Sequence, residues 1–82
     1  MKFDYDVITV STKEVDIDFD KVYKFVEEDT QSHDPGYIHD AFLDNVCYYL
    51  EEIYELYDIE DGYFLDSVES SWTSYMEDTY EI

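Results

Sequence analysis

Residues 13–26 read Lys-Glu-Val-Asp-Ile-Asp-Phe-Asp-Lys-Val-Tyr-Lys-Phe-Val, and the spacing of the apolar residues changes within this stretch. Within residues 13–19, apolar and acidic residues alternate strictly from Glu14 onward, which predicts a strand with one buried face. That face directs Val15, Ile17 and Phe19 towards the core, and the acidic residues between them face solvent.

The second half of the stretch has helical spacing. From Asp20 onward, Val22, Phe25 and Val26 fall on one helical face, so Asp20 is the predicted N-cap of a short helix over about residues 20–29. A change of period from two to about 3.6 within one stretch indicates a strand that leads directly into a helix.

A second strand is predicted upstream. Residues 3–9 read Phe-Asp-Tyr-Asp-Val-Ile-Thr, and only a short link at Ser11-Thr12 separates them from residues 13–19. Two short strands joined by a short link favour an antiparallel hairpin over about residues 3–19.

Two further helices are predicted downstream. Asp34-Pro35 supplies an N-cap with proline at the first helical position, and apolar residues at spacings of three and four continue to Leu56, which predicts one long helix over about residues 35–58. Asp61-Gly62 is interpreted as its stop, and Asp66 with Glu69 resembles a capping box that opens a last helix over about residues 66–80. The predicted fold class is α+β: an N-terminal antiparallel β-hairpin packed on two or three α-helices, one of them a long central helix, in a single compact domain spanning residues 1–82.

The charge of the chain excludes several kinds of partner. Among 82 residues there are 23 Asp plus Glu, four Lys and no Arg, giving a net charge of −19. Direct binding to nucleic acid or to an anionic membrane surface requires clustered Lys or Arg, so neither is expected. All four lysines lie in residues 1–24, and residues 25–82 contain 17 acids without any Lys or Arg.

One pattern of acids resembles a calcium loop. Asp16, Asp18, Asp20 and Glu27 match positions 1, 3, 5 and 12 of an EF-hand. Lys21 stands where such a loop needs glycine, and an alternating strand with an acidic outer face explains the same residues. A calcium-binding module is therefore kept only as an alternative, and no metal or other cofactor is expected.

Transition-metal and catalytic sites find little support. His33, His39 and Cys47 do not follow the spacing of a zinc site, and Cys47 is expected to be a small buried residue beside the apolar stripe of the long helix. With so many acids, carboxylate pairs arise by chance, and no phosphate loop or nucleophile–base arrangement accompanies them. We expect the protein not to be an enzyme.

The acids of the predicted helices are the candidate binding residues. On the long helix they lie away from the apolar stripe in steps of about 4.5–10.5 Å along the axis. Duplex DNA carries a negative charge about every 3.4 Å along each strand, so such rows could occupy several phosphate-binding pockets of a basic protein. Partly exposed tyrosines would add apolar anchors. The candidate acids are Asp40, Asp44, Glu51, Glu55, Asp58, Glu69, Glu77 and Asp78, and the candidate anchors are Tyr48 and Tyr54, with Tyr63, Tyr75 and Tyr80.

Small size, high negative charge, absence of arginine and acidic helices rich in tyrosine resemble the small DNA-mimic proteins of phages and mobile elements. These include anti-CRISPR proteins, Ocr-type anti-restriction proteins and uracil-glycosylase inhibitors. The resemblance implies an inhibitor in the cytoplasm of a host bacterium that occupies the basic DNA channel of a defence nuclease, first of all a Cas effector whose target or PAM DNA it would exclude. Inhibition of a restriction or DNA-repair enzyme by the same mimicry, and an acidic adaptor for a basic host protein, stay as alternatives.

Overall fold

The computed structural model describes residues 1–6 and 12–82, and it begins with a β-hairpin. Strands β1 (Lys2–Asp6) and β2 (Thr12–Asp16) pair antiparallel, with Phe3 opposite Val15. The predicted hairpin is confirmed. The predicted continuation of the first strand to Thr9, and Ser11 of the predicted link, lie outside the described residues.

The second strand ends earlier than predicted. It stops at Asp16 instead of residue 19, and α1 begins at Phe19 and runs to Thr30. The cap is Asp18, whose Oδ1 accepts a hydrogen bond from the backbone N–H of Asp20 at 3.0 Å. Asp20, the predicted cap, is therefore in the first turn of the helix. Alternation continues through residues 17–19 because Ile17 and Phe19 are both buried, although the strand has already ended.

The predicted long central helix over residues 35–58 is wrong, because the chain forms two helices there. Helix α2 (Pro35–Asp44) begins as expected, with Asp34 as its cap, and α3 spans Val46–Tyr54. At Asn45 the backbone leaves helical geometry (φ −136°, ψ 38°), and the side-chain Nδ2 donates to the carbonyl of Ala41 at 3.2 Å. Asparagine side chains compete in this way with helical hydrogen bonds, which the apolar spacing does not reveal.

The longest helix is the last one. Helix α4 spans Gly62–Tyr80, 19 residues, instead of starting at Asp66. Asp61 is its cap, and the Asp61 Oδ1 accepts hydrogen bonds from the backbone N–H groups of Tyr63 and Phe64. Asp61-Gly62 therefore begins helix α4, and its interpretation as the end of the preceding helix is wrong.

The hairpin and all four helices contribute to one hydrophobic core. Trp72 of α4 is fully buried at its centre, with its ring 4.6 Å from that of Phe42 and 5.9 Å from that of Phe19, and its Nε1–H donates to the carbonyl of His39. The α+β class and the N-terminal hairpin are confirmed, while residues 1–6 and 12–82 contain four helices, of which the longest is C-terminal. The molecule extends 40 × 22 × 18 Å.

Candidate partner-binding surface

One group of acids stabilises the N-terminal ends of helices. Asp18, Asp34 and Asp61 cap α1, α2 and α4, each with a carboxylate oxygen accepting from backbone N–H groups of the first turn. Asp61 also accepts from the backbone N–H of Asp6 at 3.0 Å, which ties α4 to β1. These backbone hydrogen bonds, that from Asp6 foremost, hold the pKa of the Asp61 carboxyl below its ordinary value. We call Asp18, Asp34 and Asp61 the N-end acids; their role is to hold the fold.

Two further acids are fixed by tyrosine hydroxyls. The Tyr49 hydroxyl donates to Asp29 at 2.9 Å, and the Tyr75 hydroxyl donates to Asp20 at 2.6 Å. Burial, followed by the hydrogen bond to the carboxylate, raises the pKa of both tyrosines well above the ordinary value. Both phenols therefore stay protonated, and each carboxylate accepts a hydrogen bond from a different helix.

The eight predicted acids belong to a different group. They are exposed or partly exposed, and none of their carboxylates forms a hydrogen bond or ion pair with another residue that the structure describes. They are Asp40, Asp44, Glu51, Glu55, Asp58, Glu69, Glu77 and Asp78. The same condition holds for six acids that the sequence reasoning did not select, namely Asp4, Glu28, Glu52, Glu60, Asp66 and Glu81.

Many of these free acids lie at the C-terminal ends of helices, in the last turn or at the cap. We call them the C-end acids; they are Glu28 of α1, Asp44 of α2, Glu51, Glu52 and Glu55 of α3, and Glu77, Asp78 and Glu81 of α4. In the part of the chain that the structure describes, none of the helices α1 to α4 has a basic residue in its last turn. Because the C-terminal end carries the negative pole of the helix dipole, cations stabilise this position and acids destabilise it.

The candidate acids do not form the single row predicted along one helix. Asp40 and Asp44 stay one turn apart on α2, about 6 Å along the axis, but the break at Asn45 separates them from α3. Glu55 caps α3 in left-handed geometry (φ 56°), and Asp58 follows it in the connection (φ 57°). Five of the eight candidate acids are C-end acids, whereas Asp40 and Glu69 lie within α2 and α4 and Asp58 lies between α3 and α4.

The predicted tyrosine anchors divide in two. Tyr48 (44% exposed) and Tyr63 (89% exposed) are free at the surface, as are Tyr37 and Tyr57, which the sequence reasoning did not select. Tyr54 is partly buried, and its hydroxyl accepts a hydrogen bond from the backbone N–H of Asp18 at 2.8 Å.

Two other predicted anchors are also engaged inside the fold. Tyr75 and Tyr80 are both partly buried. Tyr75 donates to Asp20, as described above, and the Tyr80 ring stacks on that of Tyr23 with centroids 4.5 Å apart. The apolar spacing of a helix does not show which hydroxyls find a partner.

The residues considered for metal sites are dispersed. Asp16 accepts from the Met1 amino group, and Glu27 lies 3.2 Å from the Nδ1 of His33. The ring of His39 stacks on Trp72, and Cys47 is exposed, so its predicted burial is wrong. In residues 1–6 and 12–82, no group of three or more His, Cys, Asp or Glu side chains is arranged to hold a metal ion.

Comparison with protein-family models, with curated proteins and with solved structures finds no match. Within the described residues, no helix is both long enough and apolar enough to cross a membrane.

Proposed function

We propose that this protein is a DNA mimic: an inhibitor without catalytic activity that occupies the basic DNA-binding channel of a bacterial defence nuclease, first of all a Cas effector. The observation that carries the proposal is the placement of the C-end acids. The helix dipole destabilises carboxylates at these positions, and no partner among the described residues compensates for this. The stability of the fold therefore does not explain these residues.

The scarcity of ion pairs between lysines and carboxylates supports the same proposal. Among the described residues, the only ion pair between a lysine and a carboxylate joins Lys2 and Glu14 at 3.7 Å. The Nζ of Lys21 lies 5.2 Å from the centroid of the Tyr54 ring. Ordinary solvent-exposed surfaces intersperse both signs of charge. A field of one sign steers the molecule towards a surface of opposite sign and speeds association.

The dimensions of the molecule fit a duplex channel. Its longest extent is 40 Å, and one turn of duplex DNA measures about 34–36 Å. The channel of a DNA-binding protein places Lys and Arg along such a length because it must contact successive phosphates. Exposed tyrosines such as Tyr48 and Tyr63 add rigid apolar contacts, which give specificity beyond charge.

A competition assay tests the proposal. A fluorescent duplex with a matching target and PAM is bound to guide-loaded, nuclease-inactive Cas9, and the chain is titrated while anisotropy is measured from 50 to 300 mM salt. We expect displacement of the duplex, and we expect the inhibitor's own affinity to fall with salt because it releases counterions from the channel. Polyglutamate of about 19 residues is the control for bulk charge, and it should compete far more weakly.

The same assay with a type I restriction enzyme and with uracil-DNA glycosylase tests whether the protein inhibits other DNA-binding enzymes by the same mimicry of DNA. Inhibition that does not depend on salt, or binding that leaves the duplex in place, would contradict steric and electrostatic exclusion. If none of the three enzymes loses its DNA, the proposed inhibition of DNA-binding enzymes is wrong in this form.

A further inference from the structure

A groove follows the junction between the start of α1 and the middle of α4. Two adjoining surface depressions, of about 400 and 420 Å³, share Met1, Phe19 and Tyr75. One continues along α4 past Ser70, Ser71 and Ser74, and the other is bordered by Asp16, Asp18 and Asp20. The groove is therefore apolar and neutral at one end and anionic at the other.

The floor of the groove is fixed by the core. The rings of Phe19 and Tyr75 lie 5.7 Å apart, and each also contacts the buried ring of Trp72 at 5.9 and 5.7 Å. Phe19 is 7% exposed and Tyr75 is partly exposed, so the Tyr75 ring is the aromatic surface that can accept the methylene stem of a long cationic side chain and attract its charged group.

The anionic end keeps free acceptors. The Oδ1 atoms of Asp18 and Asp20 are used inside the protein, by the N–H of Asp20 and the hydroxyl of Tyr75, and their Oδ2 atoms have no donor among the described residues. Asp16 accepts from the Met1 amino group at 2.8 Å. Three carboxylates and one ammonium group therefore border this end of the groove, which gives it a net negative charge.

We propose that this groove binds an arginine side chain of a protein partner; that the partner is a basic DNA-binding protein rests on the proposed function. A guanidinium group is planar, offers several donors to two carboxylates at once, and stacks on aromatic rings, so it fits this end better than the compact ammonium of lysine. The carboxylates border the groove without converging on one point, which disfavours a metal ion there. The groove adds a specific contact that includes Asp16 of β2.

A peptide titration tests the groove directly. The full chain, labelled with ¹⁵N, is titrated with Ac-Gly-Arg-Gly-NH₂ to high millimolar concentration and followed by amide chemical shifts. We expect saturable shifts confined to residues 16–20 and 70–75. The citrulline analogue, which keeps the shape and lacks the charge, should give none, and the lysine peptide should bind more weakly.

Two variants of equal net charge provide the control. In D18N/D20N the asparagine at position 18 can still cap α1, so the fold is retained, and peptide affinity should fall about fivefold. In D4N/D66N, which changes two exposed acids outside the groove, affinity should stay unchanged. Dispersed or non-saturable shifts, equal binding of the citrulline peptide, equal loss in both variants, or displacement of the peptide by one equivalent of calcium would overturn the proposal. No nuclease enters this titration, so its result is separate from that of the inhibition assay.

Discussion

The N-terminal and C-terminal ends of the four helices use the same residue types in opposite ways. At the N-terminal ends, Asp18, Asp34 and Asp61 accept backbone hydrogen bonds and complement the positive pole of the helix dipole. At the C-terminal ends, the C-end acids have no partner among the described residues and stand at the negative pole. The N-end acids stabilise their helices and the C-end acids destabilise theirs. Helix stability therefore explains the first set and not the second.

The largest effects on stability are expected at the N-end acids. D34A should lower the free energy of unfolding by about 1 kcal/mol, a typical effect of losing a helix cap. D61A should lower the melting temperature more than D34A does, because Asp61 also holds β1 through the N–H of Asp6. Thermal unfolding by circular dichroism measures both, and D34N and D61N are the matched variants that keep a capping side chain. Equal stability of wild type and D61A would contradict the structural role of this set.

The hydrogen bonds from tyrosine to acid should give the next largest effect. Because the folded-state pKa of Tyr49 and Tyr75 lies above the ordinary value, their contribution is present below about pH 10 and is lost as the pH rises further. Y75F should cost about 1 kcal/mol at neutral pH, since it removes the hydroxyl that bonds Asp20. Melting temperatures from pH 7 to 11 check this, with Y63F as the control, because Tyr63 is 89% exposed. A loss in Y63F equal to that in Y75F would contradict the assignment.

Neutralising C-end acids should do the reverse and stabilise the fold. E77Q/D78N removes two charges from the last turn of α4, and we expect a gain of about 0.5 kcal/mol at low salt, within the usual range of charge–dipole effects. At 1 M salt the gain should shrink, because the Debye length falls to about 3 Å. Thermal melts at both salt concentrations measure it. A destabilised variant would mean that these acids serve the fold after all.

The smallest effect is expected in acid. The pKa of Asp61 is lowered in the folded state, so its charge stabilises the fold above about pH 4, and that contribution is lost as the pH falls through the folded-state value. D61N lacks the titrating group, so its difference in melting temperature from wild type should be present at pH 7 and shrink below about pH 4. A difference that stays constant from pH 7 to pH 2.5 would contradict the lowered pKa.

The sequence predicts the fold class because periodicity reports burial. The alternation that buries Ile17 and the helical spacing around Phe42 both survive in the structure. The predicted helix boundaries are wrong where side-chain hydrogen bonds determine them. The Asn45 side chain donates to the carbonyl of Ala41 where the predicted central helix is interrupted. Asp61 caps a helix, although Asp-Gly is typical of a turn. Such bonds depend on local geometry that periodicity does not carry.

The candidate surface was predictable in residue type more than in arrangement. All eight selected acids are free of partners among the described residues, since a chain with so few cations leaves most carboxylates unpaired. The hydrogen bond between the Tyr54 hydroxyl and the backbone N–H of Asp18 was not predictable from helical spacing, because the two residues lie 36 positions apart. Glu52 and Glu81 are not among the selected acids, although they share with Glu51 and Glu77 a position at the C-terminal end of a helix, a property that apolar spacing alone does not reveal.

A comparison of three charge variants tests whether the binding surface lies at the C-terminal ends of the helices. E51Q/E55Q, E77Q/D78N and D4N/D66N all have a net charge of −17, and each is titrated against the complex of DNA and inactive Cas9 at low salt. We expect E51Q/E55Q and E77Q/D78N each to lose about tenfold in inhibitory potency, equivalent to about 1.4 kcal/mol. We expect D4N/D66N to keep the potency of wild type. Equal potency in all three variants would show that only total charge matters, and would contradict the assignment of the binding surface to the C-terminal ends of the helices.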